Sequence, residues 1–95
     1  MRVDWDENKA GTNLRKHGVS FGEARSVFFD PLAKTVFDPD HSEMENRWVT
    51  IGFSKEGRLL VVCHAERGNT IRIISARRTT KTESKSHEKE IGRRH

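Results

Sequence analysis

Residues 47–77, RWVTIGFSKEGRLLVVCHAERGNTIRIISAR, hold three runs rich in β-branched and apolar side chains: Arg47–Phe53, Leu59–Arg67 and Thr70–Arg77. Ser54-Lys55-Glu56-Gly57 and Gly68-Asn69 separate them, and both are hairpin signals, so the stretch predicts an antiparallel meander. A two-residue turn at Gly68-Asn69 pairs Arg67 with Thr70 and Ala65 with Arg72. A four-residue loop at Ser54–Gly57 pairs Val49 with Val62 and Arg47 with His64. One face then reads Val49, Ile51, Phe53, Leu60, Val62, Ile71 and Ile73, and must be buried. The other carries Trp48, Thr50, Val61, Cys63, Ala65, Arg67, Thr70, Arg72 and Ile74, part apolar and part basic, and suits a binding surface. Slipping either hairpin by one residue exchanges the faces of the strand that slips.

Outward from the meander, Ala33–Phe37 predicts a further strand, Asp38–Glu45 a polar loop, and the alternation of Val3 and Trp5 a short edge strand. Between them lie two helices. Asp6 caps a first helix that runs to His17 and stops at Gly18, with Ala10 and Leu14 as its apolar contacts. Ser20 and Glu23 form a capping box for a second, with Val19 and Ala24 as its staple, and it ends before Pro31. Packed on the buried side of the sheet, these helices make an α+β domain over residues 1–78.

Residues 79–95 differ in character. The first 76 residues hold eleven Lys/Arg and eleven Asp/Glu, whereas residues 77–95 hold seven and three, so the net charge of +4 lies in the C-terminal fifth. A segregated basic end attracts phosphate, and nucleic acid is the commonest source of closely spaced phosphates. Thr80 and Glu83 form a capping box, and Lys81, Lys85 and Lys89 make a stripe at helical spacing. With no apolar residue from Thr79 to Glu90, this basic helix or tail is expected to fray when free.

Length and composition narrow the function. Ninety-five residues, 33% hydrophobic and 34% charged, suit one small domain, and no apolar run approaches the ~18 residues of a membrane span. The start MRVDWDENK lacks the apolar core of a signal peptide and Cys63 is the only cysteine, so a cytoplasmic protein is expected. His17, His41, His64, His87 and His95 form no HxxxH or HxH pair, and no metal or cofactor is expected. Nor is there a phosphate-cradling glycine loop or a GxSxG elbow. Cys63 reads as a small core or sheet residue.

The meander does concentrate groups able to bind phosphate and move protons: Arg47, His64, Glu66, Arg67, Arg72 and Arg77. Cutting RNA through its own 2′-hydroxyl needs a base, cations for the phosphorane and an acid for the leaving 5′-oxygen, all of which His, Glu and Arg supply. The same residues also fit plain structural duties, as hairpin-end charges and a strand histidine. His17 likewise suits the negative end of the first helix.

The blocks VDWDENKAGTNLRKHGVSFGEA, VFFDPLAKTVFDPDHSEMENRWVTIGFS and GRLLVVCHAERGNTIRIISAR add a family resemblance. From about Val3 to Arg78 the chain resembles the BrnT family of bacterial type II toxin–antitoxin toxins. The resemblance implies a RelE-like fold, an antiparallel sheet with helices on one face, and a metal-independent endoribonuclease that blocks translation. It also implies a BrnA-type antitoxin that neutralises the toxin, forms a heterotetramer with it and represses their operon on DNA. Carried over are Lys16 and His17 of the KHG block, His64, Glu66 and Arg67 of HAERG, and Arg72 and Arg77 of IRIISAR, without individual roles. Family members continue with a Glu-Arg pair and a Tyr in the last helix. Here Ser84 follows Glu83, His87 stands near the Tyr position, and the Arg93-Arg94-His95 tail is unmatched.

The expected function is therefore RNA cleavage, free or on the ribosome. His64, Glu66, Arg67, Arg72, Arg77 and His17 would be catalytic, and Lys16, Arg47, Arg78, Lys81 and Lys85 would bind RNA. The alternatives are a toxin-fold co-repressor acting through its antitoxin, or an RNA-binding module. The antitoxin, an acidic and initially disordered segment, is expected on the basic face rimmed by Trp48 and Val61.

Overall fold

A computed structural model of the chain describes residues 1–93; Arg94 and His95 of the basic tail lie outside it. The strands are β1 (Arg2–Trp5), β2 (Lys34–Asp38), β3 (Arg47–Phe53), β4 (Leu59–Arg67) and β5 (Thr70–Arg78). The helices are α1 (Glu7–His17), α2 (Phe21–Ser26) and α3 (Lys81–Arg93). One five-stranded sheet has the order β1-β5-β4-β3-β2. The sheet is mixed, which corrects the purely antiparallel expectation: β1 runs parallel to β5, Arg2 opposite Thr70 and Trp5 opposite Ile73.

The predicted caps are in place. Lys9 N–H donates to Asp6 Oδ2 at 3.1 Å, and Gly18 ends α1 at φ 68°, where only glycine sits without strain. Ser20 Oγ accepts from Glu23 N–H at 3.0 Å, but the reciprocal half of that box is absent. The Glu23 carboxylate turns inward, taking Ser54 Oγ–H at 2.7 Å and Arg58 Nε–H at 2.9 Å, and so ties α2 to the β3–β4 hairpin. Those bonds from Arg58 hold the Glu23 carboxyl below the usual carboxylate range.

Val19, Phe21, Ala24 and Val27 pack on Leu60, Val62, Ile73 and Ala76 to form the core. Each large side chain there contributes roughly 1.5–3 kcal/mol by burial. Ala10 packs on this core, whereas Leu14, expected beside it, is half exposed. Buried Asn13 of α1 extends the sheet in place of a missing strand. Its amide donates to Ala76 O (2.8 Å) and Val19 O (2.9 Å), and its carbonyl accepts from Ala76 N–H (3.0 Å).

The β4–β5 turn pairs Arg67 with Thr70 and Ala65 with Arg72, as its sequence predicts. Gly68, at φ 62° in the first central position, suits a type II′ turn. The β3–β4 register is one residue away from the expectation: Val49 faces Cys63 and Arg47 faces Ala65. Ser54 N–H donates to Arg58 O at 2.8 Å, leaving a three-residue loop with Gly57 at φ 78°, so Phe53 pairs with Leu59. β3 is therefore turned over. Thr50 and Gly52 face the helices with Trp48, while Val49, Ile51 and Phe53 share the opposite face with Val61 and Arg67. Gly52 fits because a Cβ there would lie 2.8 Å from Ala33 Cβ and 3.0 Å from Val27 Cγ1.

α3 is a formed helix that crosses one end of this second face, rather than a frayed tail. The Thr80–Glu83 capping box is reciprocal, at 2.8 and 3.2 Å. Glu83 pairs with Arg77, Glu90 with Lys34, and the buried His87 ring meets Phe53 edge-on at 6.3 Å. Charge pairing along the 83-87-90 stripe replaces the apolar stripe that the segment lacks. Among the described residues no helix is long and apolar enough to cross a membrane.

Candidate nucleic-acid interface

Arg72 and Arg77 are five apart, an odd spacing that puts two side chains on opposite faces of a regular strand. A bulge in β5 changes that. His64 pairs with Ile73 but Cys63 with Ser75, so Ile74 is the extra residue, and Arg77 comes opposite Val61 as Arg72 comes opposite Ala65. Both arginines thereby share a face with Arg67 of β4 and Arg47 of β3. Arg47, Ala65 and Arg72 form one row across three strands, and Arg67 stands two residues along β4 between the outer two. With strands ~4.8 Å apart, this brings three guanidinium-bearing positions within ~10 Å.

Each arginine meets a carboxylate from a different part of the chain. Arg67 grips Glu45 through Nε and Nη2 at 3.0 and 3.2 Å, Arg72 Nη1 donates to Asp4 at 3.2 Å, and Arg77 grips Glu83 through both terminal nitrogens at 2.8 and 2.9 Å. Arg77's hydrogen bonds hold the Glu83 carboxyl down at about 2. The forked geometry is the one guanidinium offers a phosphate. Arg47 is less satisfied: its Nε lies 3.8 Å from Glu45, and is buried without a hydrogen-bond partner.

The remaining predicted site residues lie elsewhere. His64 and Glu66 alternate onto the helix face of β4, away from the arginines. His64 is buried beneath Phe28, its ring 4.9 Å away edge-on, with Nε2 2.7 Å from Thr50 Oγ1 and Nδ1 unpartnered. Burial pushes its pKa down to about 4, so the ring is neutral at pH 7. Glu66 and Arg78 are exposed, as are Lys81 and Lys85 on α3. Trp48, expected to rim the basic face, instead stacks edge-on with Phe37 on the helix side, and Val61 is buried. Lys16 and His17 line a groove of about 320 Å³ between α1 and β5, together with Lys9, Thr12, Ile74 and Ser75. Sequence reasoning passed over Lys9 and Thr12, although the spacing 9-12-16 places them on one helical stripe with Lys16. Of the counter-carboxylates, Asp4 and Glu45 carry no local signal, and Glu83 is marked only by its capping box with Thr80. Among the described residues no three His, Cys, Asp or Glu side chains gather as a metal site requires.

Residues 5–83 match the family described as the ribonuclease toxin BrnT of type II toxin–antitoxin systems. The chain is also similar to the ribonuclease toxin BrnT of Brucella abortus, known from a crystal structure at 1.1 Å. The TM-score is 0.64 at 26% identity, over 85% of this chain and 99% of that one. No curated protein matches the sequence. With the family match running from β1 into the first turn of α3, the chain belongs to the BrnT family of type II toxin–antitoxin ribonuclease toxins.

Proposed function

We infer that this chain is a RelE-like endoribonuclease that needs no metal and binds the scissile phosphate on the arginine face. The observation that carries this reading is the cluster of Arg47, Arg67 and Arg72 around Ala65, in which Arg47 Nε keeps an unspent, buried N–H. The carboxylates of Glu45 and Asp4 stand where phosphate oxygens would bind, and exposed pairs of this kind contribute only ~0–1 kcal/mol, so an RNA strand displaces them at low cost. Arg67 and Arg72 then neutralise the phosphate and the phosphorane. Arg77, followed by Lys81 and Lys85 on α3, extends the basic track without reading sequence, and Arg78 adds a cation at the other side of the strand end.

Of the two predicted histidines only His17 is open to an RNA strand, so it is the one able to exchange a proton with bound RNA. His17 is exposed at the end of α1, in the groove that reaches Ser75 on the strand carrying Arg72 and Arg77. His64 has no route to solvent without opening the core, and Glu66 shares its face. Residues 1–78 make up the toxin domain in this reading, and the segment 79–95 is its basic appendage. In the cell the RNA is cleaved in the cytoplasm and translation stops. A BrnA-type antitoxin blocks the arginine face, and the two proteins together, as a heterotetramer, repress their operon.

The test is cleavage of an end-labelled RNA by the purified protein in excess EDTA, at low and high salt, with Arg67→Ala as control. Cleavage that persists in EDTA, falls with salt and disappears in the variant is expected. Equal cleavage by Arg67→Ala removes the arginine face from the reaction, and dependence on added metal removes the metal-free chemistry. Growth arrest on expression without antitoxin separates this reading from a co-repressor, which leaves growth unchanged.

A further inference from the structure

The groove between α1 and β5 is set apart from the arginine face by its composition. Lys9, Lys16 and His17 project into it, Thr12 and Ser75 add hydroxyls, Ile74 adds the apolar patch exposed by the bulge, and no carboxylate lines it. By contrast, the groove beneath α3 is lined by Glu83 and Glu90 as well as Lys34. Lys16 and His17 have an ordinary explanation, because cations are favoured in the last turn of a helix. Lys9 does not: it sits in the first turn, where the helix dipole disfavours a cation. Neither lysine has a carboxylate within ion-pair distance among the described residues, whereas Arg67, Arg72 and Arg77 all do. Asn13 forms part of the floor, and its amide is spent on Ala76 and Val19, so the groove keeps its shape.

We propose that this groove binds one nucleotide of single-stranded RNA, next to the phosphate held on the arginine face, with its phosphate between Lys9 and Lys16 and its base against Ile74. The site deepens the ribonuclease reading, and rests on it only for the identity of the neighbouring phosphate. Position supports the link. Ser75 lies two residues from Arg77 and three from Arg72 along β5, roughly 7 and 10 Å at ~3.3 Å per residue, so one strand of RNA reaches both sites. At about 320 Å³ the groove is at the small end of ligand sites, the size of a single nucleotide. No Phe, Tyr or Trp ring lines the groove, so the base is held by apolar contact with Ile74 rather than by stacking, and a contact of that kind does not read sequence.

The experiment uses the full chain and a six-nucleotide 2′-O-methyl oligoribonucleotide, which the 2′-hydroxyl reaction cannot cleave. Binding is followed by backbone amide NMR, with hexaglutamate as a charge control. The expected result is shift changes at Thr12, Ile74 and Ser75 with the oligonucleotide and not with hexaglutamate. In Lys9→Glu/Lys16→Glu, affinity falls by about tenfold, and the log–log salt slope falls by ~0.7 for each phosphate that is no longer neutralised. Shifts confined to β3 and β4 near Arg47 and Arg67, with full affinity in the double variant, overturn the groove and leave the ribonuclease reading standing. Equal shifts with hexaglutamate reduce the groove to a patch for acidic protein segments and also overturn the proposal. Groove shifts from a protein that cuts no RNA in the EDTA assay uphold the nucleotide site and remove instead the reading of a metal-free enzyme that cuts free RNA.

Discussion

The two faces of the sheet use polar side chains in opposite ways. On the helix face Asn13, Glu23, Thr50 and His64 are buried, and most of their polar atoms are bonded to fixed neighbours within the fold. On the other face Arg67, Arg72 and Arg77 are partly exposed and paired with carboxylates that an anion can replace. Identical bond lengths therefore have different worth. A bond whose alternative is an unpaired group in the core holds the fold together, while one whose alternative is water or phosphate keeps a surface ready for exchange.

Substitutions that affect activity and stability separately sharpen this division. Arg72→Ala is expected to lower RNA cleavage by about 100-fold or more, the usual loss for a charge-stabilising group, with a melting temperature near wild type. A large fall in Tm would break the division by making Arg72 structural. On the other face Glu23→Ala should cost about 1–3 kcal/mol in urea unfolding, since it leaves the buried Ser54 hydroxyl without its acceptor, while cleavage per folded molecule stays constant.

His64 gives the helix face a pH signature. Its folded pKa of about 4 lies below the ordinary ~6.5, so the neutral ring is the form that the fold accepts. Its contribution to stability is complete above pH ~6.5 and is lost as the pH falls towards 4, by up to ~3 kcal/mol in total. Unfolding free energies from pH 7 to 4 should show that slope in wild type and lack it in His64→Gln; parallel curves would refute the assignment. Gly52→Ala should cost roughly 1–3 kcal/mol by crowding Ala33 and Val27. The smallest effect belongs to Glu45→Gln, with under ~1 kcal/mol in stability and a few-fold tighter binding of RNA as Arg67 loses its competitor.

Local rules made the helices and the far hairpin legible. Asp6, Gly18 and Ser20 announce their caps, and Gly68 sets a turn that fixes Arg67 against Thr70. β3 misleads because its more apolar side, Val49, Ile51 and Phe53, lies away from the core helices, with Phe53 against His87 of α3, so its pattern could not correct a loop one residue shorter than expected. The bulge at Ile74 lies in an Ile-Ile-Ser run that offers no glycine or proline to mark it, although the shared face of Arg72 and Arg77 depends on it. The parallel docking of β1 joins residues nearly seventy positions apart and has no turn to signal it. His64 and Glu66 share a short block with Arg67, but in a strand successive residues alternate, so both lie on the face opposite Arg67.

Asn13 also has a bearing on how the protein behaves in a crowd. β1 pairs only with Thr70–Ile73, so beyond Ile73 that edge of β5 would present unpaired N–H and C=O groups, a template for a strand from a second molecule. A carboxamide occupying both groups of Ala76 breaks that ladder with one side chain. A strand from a second molecule is thus refused along the exposed end of β5, and the outer edges of β1 and β2 are where the sheet stays open to one.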